Sequence, residues 1–267
     1  MLDAQRDGVC HICGGVGRRS FEHVPPRSAF NDDRIITALG VDALQRSDFD
    51  EPEGVTHQRG FGNHTLCEQC NNSTGSWYGP AYAAFAQAAV LSILNAGDQD
   101  RIAVAFRGFP GRIYKQILCM FFSANGELFH EKHPELKALV LDRSRTGLPK
   151  RYRLFAFLNS SNLARSSGIA AILQGGNPPR RFIFSEIVFR PLGLVITFES
   201  EPPDPRLVDI SSMADRTYDE EADISLALPL LPIYTPLPAD YRDRETALRE
   251  AAENLRLMNE SEQGPGG

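Results

Sequence analysis

The sequence predicts an α+β protein, with a small metal-stapled module at the N-terminus and a larger α+β domain after it. Three observations carry this expectation. Four of the five cysteines form two Cys-x-x-Cys pairs, Cys10/Cys13 and Cys67/Cys70. Beyond about residue 100, runs of helical period alternate with short apolar, strand-like runs. The composition, 42% hydrophobic and 23% charged residues, is that of a globular chain, and 267 residues are enough for one large domain or two modest ones.

Composition also excludes several function classes. No run approaches the ~18 apolar residues that a membrane span needs. The opening "MLDAQRDGVC" has no apolar signal-peptide core. Both predict a cytoplasmic protein with no membrane partner. A formal net charge of -6 counts against coating nucleic acid through bulk charge, though not against a local grip on it. An odd cysteine count, two-residue spacing and no export signal point to metal rather than disulfides. Cys119, inside "IYKQILCMFF", reads as a buried core thiol.

Taken in order, "CHICGGVGRR" reads as a metal knuckle whose glycines allow a tight turn. His11 between its cysteines reads as an exposed knuckle residue. "RRSFEHV" is a short strand stopped by Pro25 and Pro26. Residues 27–62 read as irregular, with Asp48, Asp50, Glu51 and Glu53 in a solvated insertion and a Gly-rich approach, "RGFG". "LCEQCNNSTGSWY" opens a helix that Gly79-Pro80 interrupts, and "AYAAFAQAAVLSIL" is a second, buried helix.

Further on, "RIAVAF" reads as a strand, "GRIYKQILCMFFS" and "HPELKALVLD" as helices, and "YRLFAFL" as a strand. "RFIFSEIVF" and "LVITFE" form a hairpin through "RPLG". Leu248, Ala251, Leu255 and Met258 mark one face of a last helix. The expected division is residues 1–78 for the module, 79–260 for an α+β domain serving targeting, sensing or assembly, and a disordered tail at 261–267.

Four thiolates are the tetrahedral set that a structural zinc prefers, and a module with so little core needs such a staple. The staple brings the strand ending at His23 towards the start of the helix near Asn71. A knuckle, a hairpin and a knuckle leading into a helix make a treble-clef arrangement. Glu22 and Asn71 offer hard oxygen ligands for one Mg²⁺ or Mn²⁺. Asn71 is equally suited to capping its helix. His23 is a residue type that takes a proton from water near neutral pH.

Cys-x-x-Cys, then Glu-His-Val-Pro, then Leu-Cys-x-x-Cys-Asn resembles the zinc-stapled HNH, or His-Me finger, endonucleases, especially those of the endonuclease VII type. The resemblance covers about residues 8 to 78. It implies a ββα module that hydrolyses phosphodiester bonds in DNA, with RNA open. In it His23 is the general base, Glu22 and Asn71 hold the catalytic divalent ion, and Zn²⁺ sits on the four cysteines. It also implies an asparagine that orients the base, for which Asn63 is the nearest match. His64 beside it is a phosphate-side donor or an additional ligand. The 53 residues between Cys13 and Cys67 exceed the spacing of compact members, and no lysine follows in "NSTGSWY".

Residues 1–75 hold seven arginines, no lysine and eleven acids, so nucleic-acid contacts must be local. Arg18, Arg19, Arg27 and Arg59 flank the expected site. Arg143, Arg145, Lys150 and Arg151 make the densest basic run, either a second grip or a solvated turn. Extra domains on such nucleases are common in bacterial restriction and phage defence, which is the setting implied. A homo-oligomer or a regulatory protein partner is compatible with that role. The alternative function is a non-catalytic zinc module that binds nucleic acid or protein.

Overall fold

The computed structural model describes residues 7–38, 54–175 and 178–262. Its helices and sheets confirm the α+β class. The N-terminal sheet has the order β1-β2-β5, from β1 (Asp7–Val9), β2 (Val16–His23) and β5 (Gly62–Cys67). A separate ribbon pairs β3 (Ile35–Thr37) with β4 (Val55–His57), so the stretch read as irregular contains a short hairpin-like pair. The acidic insertion between them, residues 39–53, lies outside the described residues.

The long helix α1 (Glu68–Leu94) corrects one expectation, because it runs unbroken through Gly79-Pro80. Proline inside a helix costs about 3 kcal/mol, since it removes one N–H and crowds the carbonyl four residues back. Here Pro80 faces solvent, and so does Ser76, whose carbonyl loses its partner. Water can satisfy that oxygen. The opposite face buries Tyr78, Tyr82, Phe85, Ala86 and Ala89, which at about 1.5–3 kcal/mol for each large side chain outweighs the break.

After α1 come β6 (Arg101–Gly108), α2 (Pro110–Ala124), the short α3 (Phe129–Lys132) and α4 (Pro134–Leu141). Then β7 (Tyr152–Leu158), β8 (Arg165–Gln174), β9 (Arg180–Phe189), β10 (Leu192–Phe198) and β11 (Val208–Asp209) form a five-stranded antiparallel sheet of order β11-β7-β10-β9-β8. The expected hairpin is β9–β10, with Phe189 opposite Leu192. A 3₁₀ turn, Ser211–Asp215, leads to β12 (Ala222–Pro229), which pairs with β6. The last helix, α5, spans Arg244–Glu262, and Leu248 on it is exposed. The side chains of Ala251, Leu255 and Met258, and residues 263–267 of the expected tail, lie outside the description.

Strands β7, β9 and β10 of the five-stranded sheet are buried on both faces, which is why they read as nearly continuous apolar runs. In β7 the pleat sends Leu154, Ala156 and Leu158 into one cluster and Phe155 and Phe157 into another. The first cluster also holds Leu66 of the N-terminal sheet, Cys10 and Ile12 of the turn after β1 and Cys70 of α1, together with Phe121 and Phe122 of α2. The division expected near residue 78 therefore falls inside α1, and one apolar core takes side chains from both sides of it.

The second cluster encloses an ion pair. The Arg165 Nε–H donates to Glu186 Oε2 at 3.0 Å, and Nη1–H donates to the carbonyls of Thr235 and Asp240 at 3.1 and 2.8 Å. Both side chains are buried. Removing one partner strands a charge, so Glu186→Ala is expected to cost about 3–5 kcal/mol in chemical denaturation. Zinc content should be unchanged, because the pair lies across the sheet from the cysteines.

Candidate functional site

The cysteine pairs come from two turns. After β1, Gly14 N–H donates to the Cys10 carbonyl at 2.9 Å and Gly15 N–H to Cys13 Sγ at 3.3 Å. Gly14 has φ +80°, and a Cβ there would run into the His130 imidazole, so this turn needs glycine. The second pair opens α1: Cys67 is the N-cap, accepting from Cys70 N–H at 3.5 Å. All four Sγ atoms lie within 4.8 Å of one another, with Cys13 and Cys67 3.9 Å apart. A tetrahedral ion about 2.3 Å from each sulfur needs separations of about 3.8 Å, so the set can hold a metal such as zinc.

The thiols are already electrostatically coupled. The hydrogen bond from Cys70 holds Cys10 down at about 4, while the same contact pushes Cys70 up. Four thiolates this close need a cation to coexist. His11 is not on the surface as expected: it is buried, and its Nδ1–H donates to the Phe122 carbonyl of α2 at 3.1 Å. Lys137 of α4 donates to the Cys13 carbonyl at 2.8 Å. The cysteine turn is thus fastened to the rest of the core by hydrogen bonds as well as packing.

The register of β2 on β5 sets His23 opposite Gly62, Glu22 opposite Asn63 and Phe21 opposite His64. His23 ends its strand half-buried, with Nε2 2.9 Å from the Arg59 carbonyl. A carbonyl only accepts, so Nε2 carries the proton and Nδ1 the lone pair. Phe21 meets the His23 and His64 rings edge-on, at 5.0 and 5.3 Å between centroids. Asn71, in the first turn of α1, donates to Ser20 Oγ at 3.0 Å and to the Phe21 carbonyl at 2.9 Å. The strand carrying His23 and the helix after the cysteines are therefore joined directly.

Glu22 departs from expectation. The pleat turns it to the opposite face from His23, where its carboxyl is buried and accepts from Thr65 Oγ1 and from Ser123 Oγ of α2. Burial pushes it up to about 8, against the pull of those two hydrogen bonds. A carboxylate anchors a divalent ion when it is ionised and faces the ion. Glu22 does not fit that role beside His23 and Asn71, and the three residues do not surround one cation here. Asn63 is half-buried opposite Glu22 and is not the group that orients His23.

That group is the Arg59 backbone, held by a residue that the sequence reading missed. Asn31 is fully buried. Its Nδ2–H₂ donates to the Pro25 and Phe61 carbonyls, and its Oδ1 accepts from Phe61 N–H, each at 2.7 Å. It staples the loop after His23 to the loop carrying Arg59. Gly60, at φ +85°, passes so close to Asn31 that a Cβ would collide with its carbonyl, and Gly62 packs as tightly on the Glu22 carbonyl. Both glycines of "RGFG" are thereby explained.

The basic residues divide. Arg18, Arg27 and Arg59 are exposed. Arg19 lies along β1, donating to the Asp7 carbonyl at 3.3 Å. In the second run Arg151 pairs with Glu135 at 2.7 Å and Arg145 with Asp142 at 3.6 Å, while Lys150 and Arg143 stay exposed. No helix among the described residues is long and apolar enough to cross a membrane. Comparison of the chain with known protein families, curated proteins and solved structures found no match.

The purified chain is expected to carry one tightly held zinc, measured by atomic emission, and Cys70→Ser should lose it together with the cooperative unfolding transition. Glu22 gives a pH signature. Its folded value is raised, so the folded state keeps a proton that the unfolded state has lost, and stability falls as pH rises from about 4.5 to about 8. Glu22→Gln, measured beside the parent by chemical denaturation, should gain relative stability across that window.

Proposed function

We propose that the chain is an HNH-type nuclease that hydrolyses phosphodiester bonds in DNA, with His23 as general base. The observation that carries this is the fixed tautomer of His23 at the tip of β2, its Nε2–H given to the Arg59 carbonyl at 2.9 Å. That leaves Nδ1 free to accept a proton from water. Water oxygen then bonds to phosphorus as the P–O3′ bond breaks, and the departing O3′ takes a proton from solvent, leaving a 5′-phosphate and a 3′-hydroxyl. The cysteine cluster, with zinc as its ion, takes no part in the reaction. It holds the β2 end against α1, and Asn71 closes the same junction.

The resemblance in "SFEHVPP" and "LCEQCN" supports this reading, as does the joining of those two motifs. Bacterial restriction or phage defence is the setting proposed with it. The inward carboxyl of Glu22 favours a second reading, a zinc-stapled module that binds nucleic acid or protein without cutting. Purified protein incubated with supercoiled plasmid and Mg²⁺ or Mn²⁺ separates the two. The nuclease reading expects nicking that falls at least about 100-fold in His23→Ala and survives in Glu22→Gln. Binding without cutting by the parent would establish the second reading. Cutting that persists in His23→Ala would remove His23 as the base.

A further inference from the structure

We propose that the open edge of β8 pairs with β8 of a second copy of this chain. The two strands run antiparallel about a two-fold axis at Ala171, and the product is a homodimer. The inference does not rest on the nuclease reading, because it concerns the far end of the other sheet and requires no cleavage.

The five-stranded sheet treats its two edges differently. At one end β11 covers β7, with Val208 opposite Ala156 and Asp209 opposite Phe155. On either side of β11 the cover continues. Ile210 N–H donates to the Leu154 carbonyl at 2.8 Å, and Leu231 N–H donates to the Leu158 carbonyl at 2.9 Å. At the other end β8 pairs with β9, and no other strand among the described residues reaches it. An open edge is normally blunted by a charge, a proline or shortness. β8 is ten residues long, and Ser166–Gln174 carries no charged residue and no proline. Its irregularity falls between Ser167 and Ala170. There the Ile169 N–H is already taken by Asn125 Oδ1 at 2.8 Å, while Asn125 Nδ2–H₂ donates to Ser185 Oγ of β9 at 3.1 Å. Ala170–Gln174 then run in regular register on β9, so their other edge is left to form a ladder.

The side chains select the occupant. Ile169, Ala171 and Leu173 are all exposed, Ile169 at 47% and Leu173 at 74%. A two-fold axis at Ala171 sets each Ile169 opposite the Leu173 of the second copy. It also sets each Ala170 opposite an Ile172, small against large. Such cross-strand apolar pairs stabilise a sheet, and like charges directly opposite destabilise it. Here no charge faces another along the shared stretch. An unrelated strand would need the same neutral, apolar alternation, which this strand supplies to itself. Because the contact is isologous and the far edge is covered, assembly closes at two copies rather than growing into a fibre.

Sedimentation velocity on the full chain over a concentration series tests this. The parent should dimerise with a dissociation constant of order 10 µM, at the weak end because the interface is small. Ala171→Lys and Ala171→Glu each set like charges opposite one another across the axis. Each should weaken its own dimer at least about tenfold. Mixed in equal amounts, the two variants should recover a heterodimer, which raised salt then weakens. Ala171 is exposed, so both variants should keep the parent's zinc content and unfolding midpoint, which are measured alongside. The proposal is overturned if the parent stays monomeric throughout, an outcome that would leave this edge to a segment of another protein. It is also overturned if Ala171→Lys dimerises like the parent, or if the mixed variants stay monomeric.

Discussion

Four thiols at one point determine how the N-terminal third of the chain is arranged. Cys10 and Cys13 fix the turn that feeds β2, and Cys67 and Cys70 fix the first turn of α1. The chain between them is long, and closing such a loop costs entropy that grows only slowly with length. One ion can therefore close a loop of this size as readily as a shorter one. Once it is closed, Asn71 reaches the Ser20 hydroxyl and the Phe21 carbonyl, which ties the strand carrying His23 to α1.

The strand pleat then divides what the sequence places side by side. Glu22 and His23 are neighbours in the chain, so a strand sends one inward and the other outward. Inward, Glu22 meets Ser123 of α2; outward, His23 meets the Arg59 carbonyl. A carboxyl in that interior stays protonated until about pH 8, which makes it a neutral hydrogen-bonding link between β2 and α2. Of the pair that looked like ligand and base, Glu22 is a core contact, while His23 stays on the outward face at the strand's end.

Much of this was legible in the sequence, and the failures have physical causes. The cysteine spacing predicted the metal cluster because ligand geometry is local to each turn. The β9–β10 hairpin and α2 were legible because their periodicity is strong. Pro80 misled because its local cost is visible in the sequence, whereas the burial of Tyr82 and Phe85 that offsets it is tertiary. Glu22 misled because a motif carries residue identity but not the direction of the pleat. Asn31 was invisible because its three hydrogen bonds reach Pro25 and Phe61 across an irregular stretch with no period to read.

The loops around His23 show why a backbone group can hold it better than a side chain would. An asparagine side chain placed to orient the ring would itself need partners to stop it rotating. The Arg59 carbonyl has no such freedom once its loop is fixed, and Asn31 fixes that loop using every polar atom of its amide. Asn31 is wholly buried, so no water competes for those bonds, and losing any one would strand a buried polar group at a cost of about 1–3 kcal/mol. Gly60 and Gly62 are required for the same reason, since a side chain at either would push the loop off His23 or off Glu22. The orientation of one half-buried imidazole is thereby tied to one buried amide and two glycines.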